Sequence, residues 1–301
     1  METMTRIELA LQAAVSSTDG QGCPPRLASA VRHAVFPGGA RIRPQLCLAV
    51  ARACGDSDPA LADGAAVAIE LLHCASLVHD DLPCFDDATM RRGRPSVHTA
   101  YGERLAVLAG DALIVLGFQT LAMAGARSPA RLARVIGTVS RGVGMPYGIV
   151  AWQALECEPR VALSDYQRAK TGALFAAATC AGAEAAGASG ETWRALGEWL
   201  GEAYQVADDL RDVLADPAEL GKPTGQDVAL GRPSSAREQG LVGAIEHFDR
   251  LVACAIEAIP PCRGSQQLRT LVRMEGERLV PRAWCEHALA RAAQAAPTEA
   301  A

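Results

Sequence analysis

The chain is organised around residues 73–93, which read HCASLVHDDLPCFDDATMRRG. Four carboxylates follow an apolar run in this stretch, and two guanidinium groups come shortly after them: Asp80, Asp81, Asp86, Asp87, Arg91 and Arg92. Carboxylates this close together repel one another unless a cation neutralises them, and hard oxygen ligands suit Mg²⁺. A solvated acidic helix end is the plainer interpretation, but negative charge there opposes the helix dipole. The stretch therefore predicts a site for a metal ion and a polyanion.

The residues before this cluster predict an α-helix that ends near the aspartates. Asp58 suits a helix N-cap, Pro59 suits the first helical position, and apolar residues then recur up to the cluster. An unbroken helix would place Asp80 and Asp86 on different faces. Pro83 disfavours helix, so we expect the backbone to leave the helix between them.

A second acidic cluster lies at residues 205–212, which read QVADDLRD. Asp208 and Asp212 are four positions apart, so a helix places both on one face. If the two clusters face each other, their carboxylates surround one cavity. Such a cavity suits several Mg²⁺ ions that hold a diphosphate.

Five motifs in order make the chain resemble the trans-isoprenyl diphosphate synthases, which elongate allylic diphosphates with isopentenyl diphosphate. The first cluster is similar to the family's longer bacterial DDxxxxD motif and its following Arg-Arg-Gly, and the second is similar to its DDxxD motif. The other three motifs are PGGARIRP at 37–44, KTG at 170–172 and GKPTGQD at 221–227. One DDxxD alone would be weak, whereas five ordered motifs are specific. The resemblance implies a Mg²⁺-dependent prenyltransferase.

The resemblance also implies a role for each matched side chain. Mg²⁺, as three ions when diphosphate is bound, is expected on Asp80, Asp86, Asp208 and Asp212. The catalytic residues are expected to be Asp80, Asp81, Asp86, Lys170 and Asp208. The allylic diphosphate is expected on Arg91, Thr171, Gln205, Lys222 and Arg232, and isopentenyl diphosphate on Arg43, His73 and Arg92. The helical wheel independently places His73 and Asp80 on one face.

Three residues depart from the family's pattern. Ala40 stands where the family has a lysine that binds isopentenyl diphosphate, so we expect weaker binding. Arg232 replaces a loop lysine, which keeps the charge and changes the shape. Trp152 stands where a glycine usually precedes the motif glutamine, here Gln153, and either narrows the cavity or packs away from it.

Product length is expected to depend on the two small residues that precede the first aspartate by five and four positions, Ala75 and Ser76. In the family, large aromatic residues at these positions stop chain growth early. Growth past fifteen carbons is therefore expected, as in bacterial geranylgeranyl diphosphate synthases that supply carotenoid or other pigment pathways. The helical wheel places Ser76 on the Asp80 side, whereas the role of Ala75 depends on the resemblance alone.

The fold is predicted to be all-α. Half of the 301 residues are apolar and only 4% are aromatic, a composition that suits tightly packed helices, and no strand-like alternation bounded by tight turns is present. The resemblance implies an isoprenoid-synthase-type bundle of about ten mostly antiparallel helices around a central cavity, and a homodimer. We expect one domain over 1–301, with the motifs at 37–232 and a disordered tail at 291–301.

Composition argues against several other classes. The net charge of -5 disfavours nucleic acid as a partner. The ten cysteines are scattered without metal-ligand spacing, and the N-terminus lacks the features of a signal peptide. Residues 104–126 are strongly apolar, but Asp111 lies among them, which favours a core helix over a membrane span. A cytoplasmic protein without a transmembrane segment is therefore predicted.

Two alternatives remain open. A terpene cyclase has the same fold, but its second metal motif normally mixes Asn, Ser or Thr with Glu, whereas this chain repeats aspartates. A non-catalytic or weakly active partner subunit of a prenyl synthase typically loses an aspartate motif, and this chain keeps both. Ala40 and Trp152 keep the partner-subunit alternative open.

Overall fold

The structure, a computed structural model, describes residues 2–36, 38–155, 157–158, 163–214 and 239–285, with the backbone alone described at 163–171 and 212–214. Helices dominate these residues: α1 (Thr3–Ser16), α2 (Pro25–Val35), α3 (Ile42–Ala53), α4 (Pro59–Asp80), α5 (Val97–Tyr101), α6 (Glu103–Ala124), α7 (Pro129–Val143), α8 (Ile149–Leu155), α9 (Leu163–Ala185), α10 (Arg194–Leu214), α11 (Gly240–Glu257) and α12 (Ser265–Leu279). A 3-10 turn, Glu191–Trp193, precedes α10. The all-α prediction is confirmed.

The details differ from the expectation in two respects. The described part of the chain contains the twelve α-helices given above and further helical residues at 282–285, against the ten or so helices expected, partly because short segments such as α5 and α8 form separate helices. Two strands of two residues each, β1 (Met90–Arg91) and β2 (Arg94–Pro95), form an antiparallel hairpin after the first aspartate cluster. Strands this short show no alternation in sequence, so no pattern predicts them. The expected loop at 216–235 and tail at 291–301 lie outside the described residues.

Helix α4 is the central helix of the bundle. It packs against α1, α2, α3, α6, α7 and α9 and is buried along most of its length. Asp58 accepts a hydrogen bond from the backbone amide of Leu61 at 3.2 Å, which confirms the predicted N-cap. Small residues allow close packing, since a Cβ at Gly64 would lie 2.4 Å from that of Ala124. Because α4 ends at Asp80, the core positions the first aspartate cluster directly.

Helix α6 is buried on one side only. Ala109 and Leu113 are buried, and α6 packs against α4. The other side exposes four apolar residues, Val107, Leu108, Val115 and Met123, which are 42% to 70% exposed. Among the described residues, α4 and α6 are both long and apolar enough to cross a membrane by length and composition. The expectation of a core helix therefore applies to one face of α6.

The loop before α3 is held by a buried arginine. Arg41 has a left-handed backbone with φ of 51°, and its guanidinium is fully buried. Its Nη1 donates to Glu70 of α4 at 2.6 Å, its Nε to Glu8 of α1 at 2.8 Å, and its Nη2 to the carbonyl of Val35 at 2.8 Å. One side chain thus joins α1, the end of α2 and α4 to the start of α3. The sequence analysis did not identify this role.

Replacement of Arg41 by Met is expected to lower the free energy of unfolding by about 3–5 kcal/mol, because Glu70 is then left buried without its charged partner. Replacement of both Arg41 and Glu70 by Met is expected to cost less, since no lone charge remains. Chemical denaturation measures both values. Arg250→Met is the matched control, because the exposed Arg250–Glu246 pair is 4.0 Å long and is expected to change stability by about 0.5 kcal/mol or less. A loss for Arg41→Met as small as the control's would contradict this account.

Candidate active site

The first aspartate cluster lies where α4 ends. The backbone amide of Asp86 donates to the carbonyl of Asp80 at 2.9 Å, so the chain turns back and returns the later aspartate to the earlier one. This geometry confirms the break predicted around Pro83. From α8, the Gln153 amide donates to Oδ1 of Asp80 at 3.1 Å. The two carboxylates therefore lie at one end of the bundle, with α8 beside them.

Asp81 and Arg91 are paired with each other. The Asp81 carboxyl is 3% exposed and accepts a hydrogen bond from Nε of Arg91 at 2.9 Å, while Nη2 contacts the same oxygen. Burial raises the pKa of Asp81, and the guanidinium of Arg91 partly opposes this rise. The pair fastens the β1–β2 hairpin to the end of α4. Two of the three nitrogens of Arg91 are thereby turned towards Asp81.

The second cluster lies near the end of α10. Asp208 is exposed, whereas Asp209 is buried and accepts a hydrogen bond from Gln205 at 3.1 Å. Burial lowers the pKa of Arg43, and the negative charge of Asp208 is one of the influences that partly oppose this fall. Asp208 is therefore close enough to interact with the arginine of α3. Asp212 also lies in α10, where only the backbone is described.

Arg43, His73 and Arg92 come together as a second site with positive charge. Nη1 of Arg43 lies 3.3 Å from Nε2 of His73. Arg92, with φ of 53°, places its guanidinium against Gly39, where a Cβ would lie 3.2 Å from Nε. Desolvation and the charges of Arg43 and Arg92 hold the pKa of His73 well below its usual value. The site thus presents two guanidinium groups and a neutral imidazole, which suits an anion.

Two aromatic residues support Arg43. Its guanidinium carbon lies 4.4 Å from the ring centroid of Phe175 in α9, and that ring lies 4.7 Å from the ring of Tyr204 in α10. The Tyr204 hydroxyl accepts a hydrogen bond from Arg278 of α12 at 2.8 Å. Phe175 is fully buried, so the platform is rigid. The arginine is therefore oriented by a cation–π contact as well as by His73.

The sequence analysis missed the roles of Gln153 and Phe175. Gln153 was noted only as a motif residue beside Trp152, and its contact with Asp80 depends on how α8 is placed. Phe175 is one of five phenylalanines in the chain. Its place in an otherwise alanine-rich helix is the one signal in the sequence that could have marked it. Trp152 itself is 5% exposed, so its bulk is absorbed by packing.

The remaining predicted residues are described unequally. Ala75 is buried in α4 and Ser76 is half-buried, with its hydroxyl donating to the carbonyl of His73 at 2.8 Å. Lys170 and Thr171 lie in α9, in the part where only the backbone is described. Lys222 and Arg232 lie outside the described residues.

The carboxylates suit a hard divalent cation. Among the residues with described side chains, no group of three His, Cys, Asp or Glu residues is arranged to hold a metal ion by itself. Mg²⁺ usually takes one or two carboxylates, and waters and substrate phosphates complete its shell. Asp80 and Asp86 at the end of α4 and Asp208 on α10 offer donors of that kind. The fold and site are those of a helical protein that offers carboxylates to a divalent cation and arginines to anionic groups.

Comparison with known proteins gives the family. The Polyprenyl synthetase family model matches residues 24–247. The geranylgeranyl diphosphate synthase of Cereibacter sphaeroides is 55% identical over 276 residues, which cover 92% of this chain and 96% of that protein. The synthase of the same name from Rhodobacter capsulatus is 50% identical, covering 91% of this chain and 95% of that protein. The chain belongs to the polyprenyl synthetase family.

Solved structures agree with this assignment. A geranyltransferase from Helicobacter pylori, complexed with magnesium and isoprenyl diphosphate, superposes with a TM-score of 0.76 at 28% identity, over 91% of this chain and 97% of that one. A geranyltransferase from Legionella pneumophila superposes with a TM-score of 0.77 at 26% identity, over 92% and 94% of the two chains. The helical fold is therefore shared with prenyltransferases of known structure.

The low pKa of His73 gives a prediction about pH. In the unfolded chain this imidazole takes up a proton near pH 6.5, whereas in the folded chain it remains neutral well below that pH. As pH falls through about 6.5, the unfolded state binds more protons, so the stability contributed by His73 is present above this pH and is lost below it. We expect His73→Asn to reduce the loss of unfolding free energy between pH 7.5 and 5. Denaturation at the two pH values measures it, and an unchanged difference contradicts it.

The same prediction can be checked residue by residue. In an NMR titration, the ring signal of His73 should not move until the pH is well below that of an ordinary histidine. The other five histidines provide the internal comparison. A His73 signal that titrates near pH 6.5 would show that Arg43 and Arg92 do not affect it as described.

Proposed function

We propose that this chain condenses isopentenyl diphosphate with allylic diphosphates and releases geranylgeranyl diphosphate, with farnesyl diphosphate as a starter. The main support is the 55% identity to a geranylgeranyl diphosphate synthase over nearly the whole of both chains. The two aspartate clusters and the Arg43–His73–Arg92 site give the proposal its chemistry. Carboxylates for a metal–diphosphate complex and an anion site for a second diphosphate are what a two-substrate condensation requires.

In the proposed mechanism, Asp80 and Asp86 on α4 and Asp208 and Asp212 on α10 hold the allylic diphosphate through Mg²⁺, with three ions in the full complex. Bound Mg²⁺ supplies positive charge that stabilises the departing diphosphate. Asp80 is oriented for this role by Gln153, and Asp81 keeps Arg91 beside the cluster. Lys170, Thr171, Gln205, Lys222 and Arg232 complete the binding of the leaving group. Departure of diphosphate leaves an allylic cation.

The second substrate is proposed to bind through its diphosphate to Arg43, His73 and Arg92. The neutral imidazole of His73 lets both arginines direct their charge to the anion, and Phe175 fixes the plane of Arg43. The double bond of isopentenyl diphosphate attacks the cation, and loss of a proton, with the released diphosphate as the base, restores neutrality at carbon. Ala40 adds no charge to this site, which keeps its affinity for isopentenyl diphosphate moderate.

Product length is proposed to depend on α4 beneath the first aspartates. Ser76 lies one helical turn before Asp80, so it lies on the same side of the helix. Neither Ser76 nor Ala75 has a large side chain, which leaves room for growth past fifteen carbons. The C20 product is a precursor of pigment isoprenoids, and supply of carotenoid-type pathways is the role we propose.

The experiment that tests this function is incubation of the purified chain alone with Mg²⁺, isopentenyl diphosphate and farnesyl diphosphate, with product length read by chromatography. We expect a C20 product. We also expect Asp80→Asn to lower turnover by about 100-fold or more relative to the native chain, because one metal-binding carboxylate is removed. Asp87→Asn is the matched control: it is exposed in the same loop, and asparagine tolerates its φ of 47°. A folded chain that makes no product would favour the alternative of a non-catalytic partner subunit.

We also propose that the chain acts as a single-domain homodimer in the cytoplasm. The exposed apolar residues of α6 form one face. Met145 and Tyr147, between α7 and α8, and Val150 of α8 are more than half exposed. Apolar surface of this kind usually marks an interface. All ten cysteines are free, which suits a reducing compartment.

The dimer proposal predicts the effect of charge on α6. Light scattering is expected to give the native chain a mass in solution of twice 31.5 kDa. The double variant Leu108→Lys, Val115→Lys is expected to be a monomer, because two charges would have to be buried on association. Leu9→Lys is the matched control, since Leu9 is also apolar and exposed, at 58%, but belongs to α1. A native monomer, or a double variant that remains a dimer, would exclude α6 as the interface.

A further inference from the structure

A continuous groove runs along α7 and α9, on the side of α8 that faces away from the aspartates. It consists of two adjoining cavities of about 480 and 390 Å³. The cavities share four lining residues, Thr138, Arg141, Cys180 and Arg194. Each volume lies in the range of ordinary ligand pockets. The mechanism proposed above uses none of these residues.

Helix α8 separates the groove from the catalytic residues. Gln153 points to Asp80 and donates to it at 3.1 Å. Ala151 and Leu155 are two positions before and after Gln153, roughly 200° away around the helix, and both line the groove with Trp152. One face of this short helix therefore serves the aspartate cluster and the opposite face forms a groove wall. The groove is distinct from the catalytic cavity.

The two ends of the groove differ in chemistry. One end is lined by small and apolar side chains: Ala151, Trp152, Leu155, Ala173, Ala176 and Ala177. The other end is lined by three arginines, Arg134, Arg141 and Arg194. An apolar channel that opens onto guanidinium groups matches a ligand with a hydrocarbon chain and an anionic head.

The carboxylates near the arginines balance only part of their charge. Glu191 pairs with Arg194 through contacts of 2.9 Å, whereas Arg134 and Arg141 line the same end and form no ion pair within 4.0 Å among the described residues. Glu198 is exposed. Glu184 is 8% exposed, and its Oε1 accepts a hydrogen bond from Thr138 at 3.0 Å. Burial raises the pKa of Glu184, and its hydrogen bond with Thr138 and the charges of the three arginines partly oppose this rise.

The second oxygen of Glu184 is evidence for a ligand. This Oε2 is buried and has no hydrogen-bond partner among the residues that the structure describes, and Glu184 is one of the residues that line the arginine end. Buried polar atoms normally have a partner. The residue with the orphan atom and the three arginines therefore belong to the same end of the groove, where a ligand would change the surroundings of both.

We propose that this groove binds one molecule of a prenyl diphosphate, with the diphosphate on Arg134, Arg141 and Arg194 and the chain along the alanine-lined end. The choice of ligand rests on the proposed function, since that function makes such an amphiphile inside the same chain. Binding in the groove requires no metal ion. Because α8 is the shared wall, an occupied groove acts on Gln153 and through it on Asp80, so the product inhibits without competing for the catalytic cavity.

The test is calorimetric titration of the whole chain with geranylgeranyl diphosphate in EDTA. The chain carries Asp80→Asn in every case, so that metal-dependent binding in the catalytic cavity is removed. We expect a saturable site besides any binding at Arg43, His73 and Arg92. Its affinity should fall about tenfold or more when Arg141→Gln and Arg194→Gln are combined, since charge-assisted hydrogen bonds are lost. Ala151→Leu fills the apolar end and should weaken binding as well. Glu184→Gln should bind at least as tightly as the parent, because it removes a negative charge from the arginine end.

The matched controls are Arg250→Gln, an exposed arginine of α11, and Ala154→Leu, an exposed residue of α8 that does not line the groove. Both should bind as the parent does. Absence of metal-free binding, or equal affinity in groove and control variants, would overturn the proposal. Inorganic diphosphate or dodecyl phosphate binding as tightly as the prenyl diphosphate would also overturn it, because the prenyl chain would then contribute nothing specific.

Kinetics separate this proposal from the proposed function. With an intact Asp80, the arginine double variant should turn over at the parent's initial rate and need about tenfold more product for half inhibition. Unchanged product inhibition would overturn the coupling through α8. A chain that binds prenyl diphosphate in the groove but makes no product would refute the proposed function while the groove site remains.

Discussion

Repulsion among the carboxylates at the end of α4 is the constraint on which the surrounding elements depend. A helix C-terminus already has partial negative charge, so Asp80, Asp81 and Asp86 raise the free energy of the fold unless each is compensated. The protein compensates them differently. Asp81 is buried against Arg91, Asp80 accepts a hydrogen bond from Gln153, and only part of the charge remains for a metal ion. The β1–β2 hairpin and α8 are therefore necessary parts of the acidic site.

The site formed by Arg43, His73 and Arg92 has the opposite requirement, because here repulsion between positive charges must be compensated. Arg43 and Arg92 lie close together and would repel each other more strongly if His73 were charged as well. Desolvation and these two arginines keep the imidazole neutral, and the ring of Phe175 offers Arg43 a face with negative potential. Behind them, the Arg41–Glu70 pair holds the loop that contains Gly39. The loop is thereby held close to Arg92.

The sequence predicted those features that depend on local spacing. The N-cap at Asp58, the break around Pro83 and the common face of His73 and Asp80 all follow from residues within a few turns of one another. The Arg41–Glu70 pair, the Gln153–Asp80 contact and the Phe175 platform join residues far apart in the chain. No periodicity encodes such contacts, because each depends on how two helices cross. The sequence analysis predicted α6 to be a core helix and did not predict its exposed face. The reason is related, since an apolar sequence is the same whether other helices cover one side of it or both.

Trp152 shows how one departure from a family pattern can affect two sites. A large side chain beside the motif glutamine could narrow the catalytic cavity, but the side chains of successive residues in a helix project about 100° apart around its axis. Gln153 can therefore face Asp80 while Trp152 packs between α7 and α9 as a groove wall. The indole stiffens a helix of seven residues that has little intrinsic stability of its own. The groove wall and the residue that donates to Asp80 thus belong to the same short helix, which is the physical basis of the proposed coupling between the two sites.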